Sequence, residues 1–92
     1  MPEVETVLGP VDARDLGGTY SHEPVIVSEG IESLYYPWRY GFAATEALAS
    51  QRWAECKSAG VGSCIDLTTP DLGRDIPLVQ RIARAAGIHV VA

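Results

Sequence analysis

The sequence predicts an α/β fold built on a parallel sheet, and three observations carry that expectation. Short apolar runs alternate with two helical segments in the order strand, helix, strand, helix, strand. The later runs, "VGSCIDLT" and "IHVVA", are nearly continuous in apolar residues, as strands covered on both faces are. Each helical segment is bounded by a cap and a glycine, Thr45 and Gly60 around the first, Asp75 and Gly87 around the second.

Taken in order, Glu3 to Gly9 ("EVETVLG") alternates polar and apolar residues, and "GPVDARDLGG" supplies turn chemistry with Asp12 placed to cap one short turn. A strand is expected from Tyr20 to Val27, then a loop from Ser28 to Gly41. The first helix runs from Thr45 to Ala59, with Phe42, Ala49, Trp53 and Cys56 on one stripe and Ser50, Ala54 and Ser58 on the other side. Val61 to Thr68 reads as a strand interrupted by Asp66, followed by the loop "TPDLGRD". The second helix spans Asp75 to Ala86, with Pro77 in its first turn and Gly87 past its end. Its apolar face holds Ile76, Val79, Ile82, Ala83 and Ala86, with Gln80, Arg81 and Arg84 opposite. Ile88 to Ala92 is the last strand, and the chain stops inside it.

The 92 residues carry 7 Lys and Arg against 12 Asp and Glu, a formal charge of −5. That balance argues against a nucleic-acid or anionic-membrane surface, both of which need a basic patch. With 47% hydrophobic residues the composition is globular. No stretch reaches the roughly 18 consecutive apolar residues of a membrane span, and "MPEVETVLGPVD" lacks the apolar core of a secretory signal, so a cytoplasmic location is expected. Cys56 and Cys64 lack both disulfide patterning and zinc-ligand spacing and read as small buried hydrophobes. Three parallel strands leave two open edges, the last with neither charge nor proline to protect it, so self-association through those edges is expected.

Two long passages, "TVLGPVDARDLGGTYSHEPVIV" and "AGVGSCIDLTTPDLGRDIPLVQRIARAAGIHVVA", carry a resemblance. The opening T-V-x-G-P turn, the approach L-G-x-T-x-x-H-E and the passage D-L-T…D-L-G-R-D stand in order and resemble the N-terminal part of the phosphotriesterase-related family of the amidohydrolase superfamily. The resemblance implies a (β/α)8 barrel, of which residues 1–92 would form an incomplete domain holding the hairpin, barrel strands 1 to 3 and helices 1 and 2. A whole barrel needs about 250 residues. It also implies a hydrolase in which two divalent metals, commonly zinc, activate a bridging hydroxide at the C-terminal ends of the strands, acting on a small-molecule ester or organophosphate.

The family's ligands are an H-x-H pair on strand 1, a carboxylated lysine on strand 4, histidines on strands 5 and 6, and an aspartate on strand 8. Only the strand 1 motif falls in this chain, where it reads His22-Glu23-Pro24. Residues i and i+2 of a strand face one side, so the intact pair would aim two imidazoles at one metal. His22 matches the first position and is the one candidate metal ligand. Pro24 has no lone pair to donate, so weak or absent zinc binding is expected. The alternative for His22 is a histidine at the barrel mouth that hydrogen-bonds locally.

Other polar and aromatic groups have double readings. Glu23 points away from the pair and reads as a salt-bridge partner, and His89 reads as a satisfied core histidine. Tyr35, Tyr36, Trp38, Tyr40 and Phe42 would either wall an apolar substrate or cover the barrel end. Asp66, Asp71, Arg74 and Asp75 would either reach the site or cap and pair to fix the loop. Ile65, Leu67, Val90 and Val91 are expected on the inner face of the barrel. Two functions are compatible with this sequence: the N-terminal fragment of a metal-dependent hydrolase, inactive as this chain alone, or a non-catalytic remnant that self-associates. A nucleotide-binding module is excluded, because "PDLGRD" has a single glycine and no lysine.

Overall fold

The computed structural model describes residues 2–21, Val25, 42–66, Thr68 and 74–92. Strands β1 (Glu3–Thr6) and β2 (Gly9–Asp12) form an antiparallel hairpin with Glu3 opposite Asp12 and Thr6 opposite Gly9. Val7 and Leu8 make the turn without a positive φ, which excludes the primed turn types, and Gly9 takes the left-handed position at φ 113°. The Thr6 hydroxyl closes the turn, accepting from the Leu8 N–H at 3.2 Å and donating to the Gly9 carbonyl at 2.6 Å. Asp12 then caps one 3-10 turn, Ala13–Asp15, as its sequence position predicts.

The second sheet is parallel, with β4 (Val61–Ile65) between β3 (Gly18–Tyr20) and β5 (His89–Val91). This is the order expected from the alternation. Helix α1 (Phe42–Ser58) lies between β3 and β4 in the chain, and α2 (Ile76–Ala86) between β4 and β5. The strands are shorter than their apolar runs. β4 ends at Ile65 rather than Thr68, and β5 occupies the centre of Ile88 to Ala92.

The first parallel strand lies earlier than the expected Tyr20 to Val27, for Ser21 and Val25 sit in bends. The reason is tertiary. A Cβ on Gly18 would come within 2.5 Å of the Gly60 carbonyl oxygen, so only glycine lets β3 begin where it does. Read locally, a Gly17-Gly18 pair marks a turn, which hides the start of the strand.

Helix α1 begins three residues before Thr45, which therefore sits inside the helix and is not its N-cap. Trp53 is buried, and Ala49, Ala54 and Cys56 are half-buried against the core. Ala54 was expected on the outer side. Alanine and serine occur all round this helix, so it carries no sharp apolar stripe, while contact with both α2 and β4 requires a broad face. An ion pair from Arg81 of α2 to Glu46 of α1, at 3.0 Å, links the two helices at the surface.

Helix α2 follows its local signals closely. The Asp75 carboxylate accepts from the Leu78 N–H at 3.1 Å, Pro77 sits in the first turn, and Gly87 closes the helix in the left-handed region at φ 71°. Leu78, Val79, Ile82, Ala83 and Ala86 are buried, and each large side chain among them contributes about 1.5–3 kcal/mol.

Cys64 and Val90 lie opposite each other across the sheet, both fully buried in the cluster that holds Trp53, Val79 and Ile82. They define the helix-facing side, so Ser63, Ile65, His89 and Val91 share the other side by the two-residue period of a strand. Val90 therefore faces the helices and not the barrel interior as expected. His89 turns to the interior and is half-buried, not a core residue.

The hairpin docks on the sheet. The Val7 N–H donates to the Val90 carbonyl at 2.8 Å, and Gln80 Nε2 donates to the Val7 carbonyl at 2.7 Å. The free edge of β5 is thus partly covered, contrary to the expectation that it stands open. Among the described residues no helix is long and apolar enough to cross a membrane.

Candidate functional site

In a parallel α/β sheet, chemistry gathers outside the carboxyl ends of the strands, where loops leave and strand residues converge. Here those ends are Tyr20, Ile65 and Val91. His22 follows the first of them by two residues. His22, Glu23, Pro24, Leu67, Asp71 and the aromatic run from Tyr35 to Tyr40 lie outside the described residues, and Phe42 is described as backbone only.

At the end of β4, Asp66 is buried and already engaged. Its Oδ1 accepts from the Thr68 N–H at 2.8 Å and from the Thr68 hydroxyl at 2.6 Å, while its own N–H donates to the Val91 carbonyl at 2.7 Å. Asp66 thus lies just past the strand and not inside it. Of its two expected roles, the geometry favours fixing the loop: the carboxylate folds the chain back on itself in an Asx turn, and the backbone ties that turn to the end of β5. Asp75 is likewise spent as a helix cap.

His89 is the first residue of β5, opposite Ser63. Two residues separate it from the strand's carboxyl end, about 6.6 Å of rise, so it belongs to the sheet's interior rather than its mouth. Ser63 is buried and its hydroxyl donates to the Leu16 carbonyl, which anchors the residue preceding the Gly17-Gly18 pair. Neither Cys56 nor Cys64 is in a disulfide, and Cys64 is buried while Cys56 is half-buried. On the hairpin, hydrogen bonds from the Arg14 guanidinium, and then from its backbone N–H, hold the Asp12 carboxyl below the usual carboxylate range.

Among the described residues no group of three or more His, Cys, Asp or Glu side chains could hold a metal ion. Sequence reasoning missed the Gln80 to Val7 and Ser63 to Leu16 bonds. Both join a side chain to a backbone carbonyl more than forty residues away, and no local pattern announces such a contact.

Comparison with known proteins shows a match to the model of the Phosphotriesterase family over residues 2–92. The chain is 39% identical over 92 residues to a phosphotriesterase homology protein of Mycobacterium tuberculosis, covering 99% of this chain and 28% of that protein. It is 28% identical over 119 residues to an N-acetyltaurine hydrolase of Tetraodon nigroviridis, covering 98% of this chain and 34% of that protein. An aryldialkylphosphatase of Saccharolobus solfataricus is 28% identical over 82 residues, covering 89% of this chain and 26% of that protein. The solved structure of the phosphotriesterase from Mycobacterium tuberculosis superposes with a TM-score of 0.89 at 38% identity, over 98% of this chain and 28% of that one. The chain therefore spans about a quarter to a third of the length of these relatives, and its strands and helices form part of a (β/α)8 barrel.

Proposed function

The chain belongs to the phosphotriesterase family, and from that premise we propose that it is the N-terminal portion of a hydrolase opening phosphotriester, lactone or related ester bonds, catalytically silent as these 92 residues alone. The relatives support hydrolysis as the reaction class, for their names speak of a phosphotriesterase homology protein, an aryldialkylphosphatase and an N-acetyltaurine hydrolase. The observation that carries the second half of the proposal is the triplet His22-Glu23-Pro24 in a chain otherwise similar to its relatives from end to end.

Hydrolysis of such bonds near neutral pH needs an activated water, and a divalent ion supplies one only when several protein ligands hold it. His22 offers one imidazole, Pro24 offers no donor, and the described residues offer no further cluster. One imidazole without a partner at Pro24 falls short of the ligand set a metal needs, so no catalytic step is assigned to these residues. The same shortfall is shared by a second reading, in which the piece has no catalytic role.

A chimera tests the proposal. This chain would replace the matching segment of the Mycobacterium tuberculosis phosphotriesterase homology protein, and the product would be assayed with zinc on an aryl lactone and a paraoxon-like triester. The chimera is expected to fold and to hydrolyse at least about tenfold more slowly than its parent, with Pro24→His raising both zinc content and turnover. A folded chimera inactive on both substrates even with Pro24→His would overturn the hydrolase reading.

A further inference from the structure

We propose that the hairpin turn at Val7 is a register stop on β5: it occupies the edge carbonyl at Val90, so that a further parallel strand, the next of the barrel, can join only beyond that residue. The inference rests on the sheet's geometry and not on the hydrolase reading.

The Asp66 N–H reaches the Val91 carbonyl at 2.7 Å, and Ile65 is the register partner of Val91. The polar groups of Val91 therefore face β4. Successive residues of a strand turn their N–H and C=O to opposite sides, so the polar groups of Val90 face the outer edge. There the Val7 N–H takes the Val90 carbonyl at 2.8 Å.

The Val7 peptide is held from its other side as well, since Gln80 Nε2 of α2 donates to the Val7 carbonyl at 2.7 Å. Val7 is half-buried against the core, and β1 packs on β5. One residue of the turn thus bridges a sheet edge and a helix. A strand pairing evenly along β5 would need the Val90 carbonyl as an acceptor and finds it taken. The next residue of the same parity is Ala92, which is exposed, and pairing can start there. The same contact denies a second copy of this chain the flat apolar edge that β5 would otherwise offer.

Hydrogen exchange and sedimentation velocity on the 92-residue chain test the stop. The Val7 amide is expected to be protected, and Gln80→Ala, a change at a half-buried position, to lower that protection about tenfold by loosening the turn. Val7→Pro deletes the donor at a turn position that accepts proline. Both variants are expected to self-associate at a concentration at least about fivefold lower than the parent chain, with the outward Val90 amide gaining protection in the associated form. If Val7→Pro does not fold, Gln80→Ala decides alone. An unprotected Val7 amide in the parent chain, unchanged association in the variants, or association that leaves the Val90 amide unprotected would each overturn the proposal.

Discussion

Tyr20 and Trp53 meet edge to face, with ring centroids 6.2 Å apart and planes at 69°. The last residue of the first parallel strand thereby touches the buried ring of α1, on the same side of the sheet as Cys64, its register partner in β4. The contact fixes where the first βα unit closes. A double-mutant cycle on Tyr20→Leu and Trp53→Leu, read by urea unfolding, is expected to show a coupling of about 0.5–1.5 kcal/mol. Strict additivity of the two changes would deny the contact.

The close approach of Gly18 to Gly60 makes a sharper demand. Gly18→Ala is expected to cost about 1–3 kcal/mol, because the obstruction is backbone and cannot rotate away. Gly62→Ala, whose added carbon would stand 3.1 Å from the Leu16 carbonyl, is expected to cost less. Denaturation midpoints that reverse this order would show that β3 does not begin at Gly18.

Asp66 ties the loop after β4 to its own turn. Asp66→Ala removes both bonds to Thr68 and is expected to cost about 1–3 kcal/mol, while Asp66→Asn keeps an acceptor and costs less. Equal losses in the two variants, measured by urea unfolding, would contradict the turn.

Asp12 gives the chain an acid limb. Its carboxyl is held below the ordinary range by Arg14, so its contribution is complete above the unfolded value of about 3.9 and is lost as pH falls through the lower folded value. Stability curves of the parent chain and Asp12→Asn are expected to differ at neutral pH and to converge below about pH 4. A gap that persists in acid would show that the pairing does not act through ionisation.

The parts of the fold written in short-range signals were legible. Helix α2 shows this best, for Asp75, Pro77 and Gly87 mark its ends and Val79, Ile82 and Ala83 its buried face within eleven helical residues. The parallel order was legible too, since apolar strands separated by capped helices leave few other windings. Misplaced features depend on distant partners. β3 starts at a glycine that only the neighbouring Gly60 explains, α1 starts ahead of the residue that resembles its cap, and Gln80, assigned to the solvent side, reaches the hairpin instead. Val90 was placed inside the barrel because a continuous apolar run does not say which of its faces meets the helices. At the candidate site, Asp66 was identified as a residue of interest, but whether it reached a ligand or folded its own loop turned on Thr68, two residues on.

Zinc content bears most directly on whether the broken pair His22 and Pro24 leaves this chain without a metal site of its own. The purified 92-residue chain, loaded with zinc and dialysed, is expected to retain no stoichiometric metal and to turn over neither a paraoxon-like triester nor an aryl lactone above the background of zinc alone. Pro24→His restores a pair of imidazoles and is expected to raise zinc retention without giving activity, since two ligands still fall short of a site. Zinc held at one equivalent per chain and lost in His22→Ala would contradict this, and would point to a site assembled between copies.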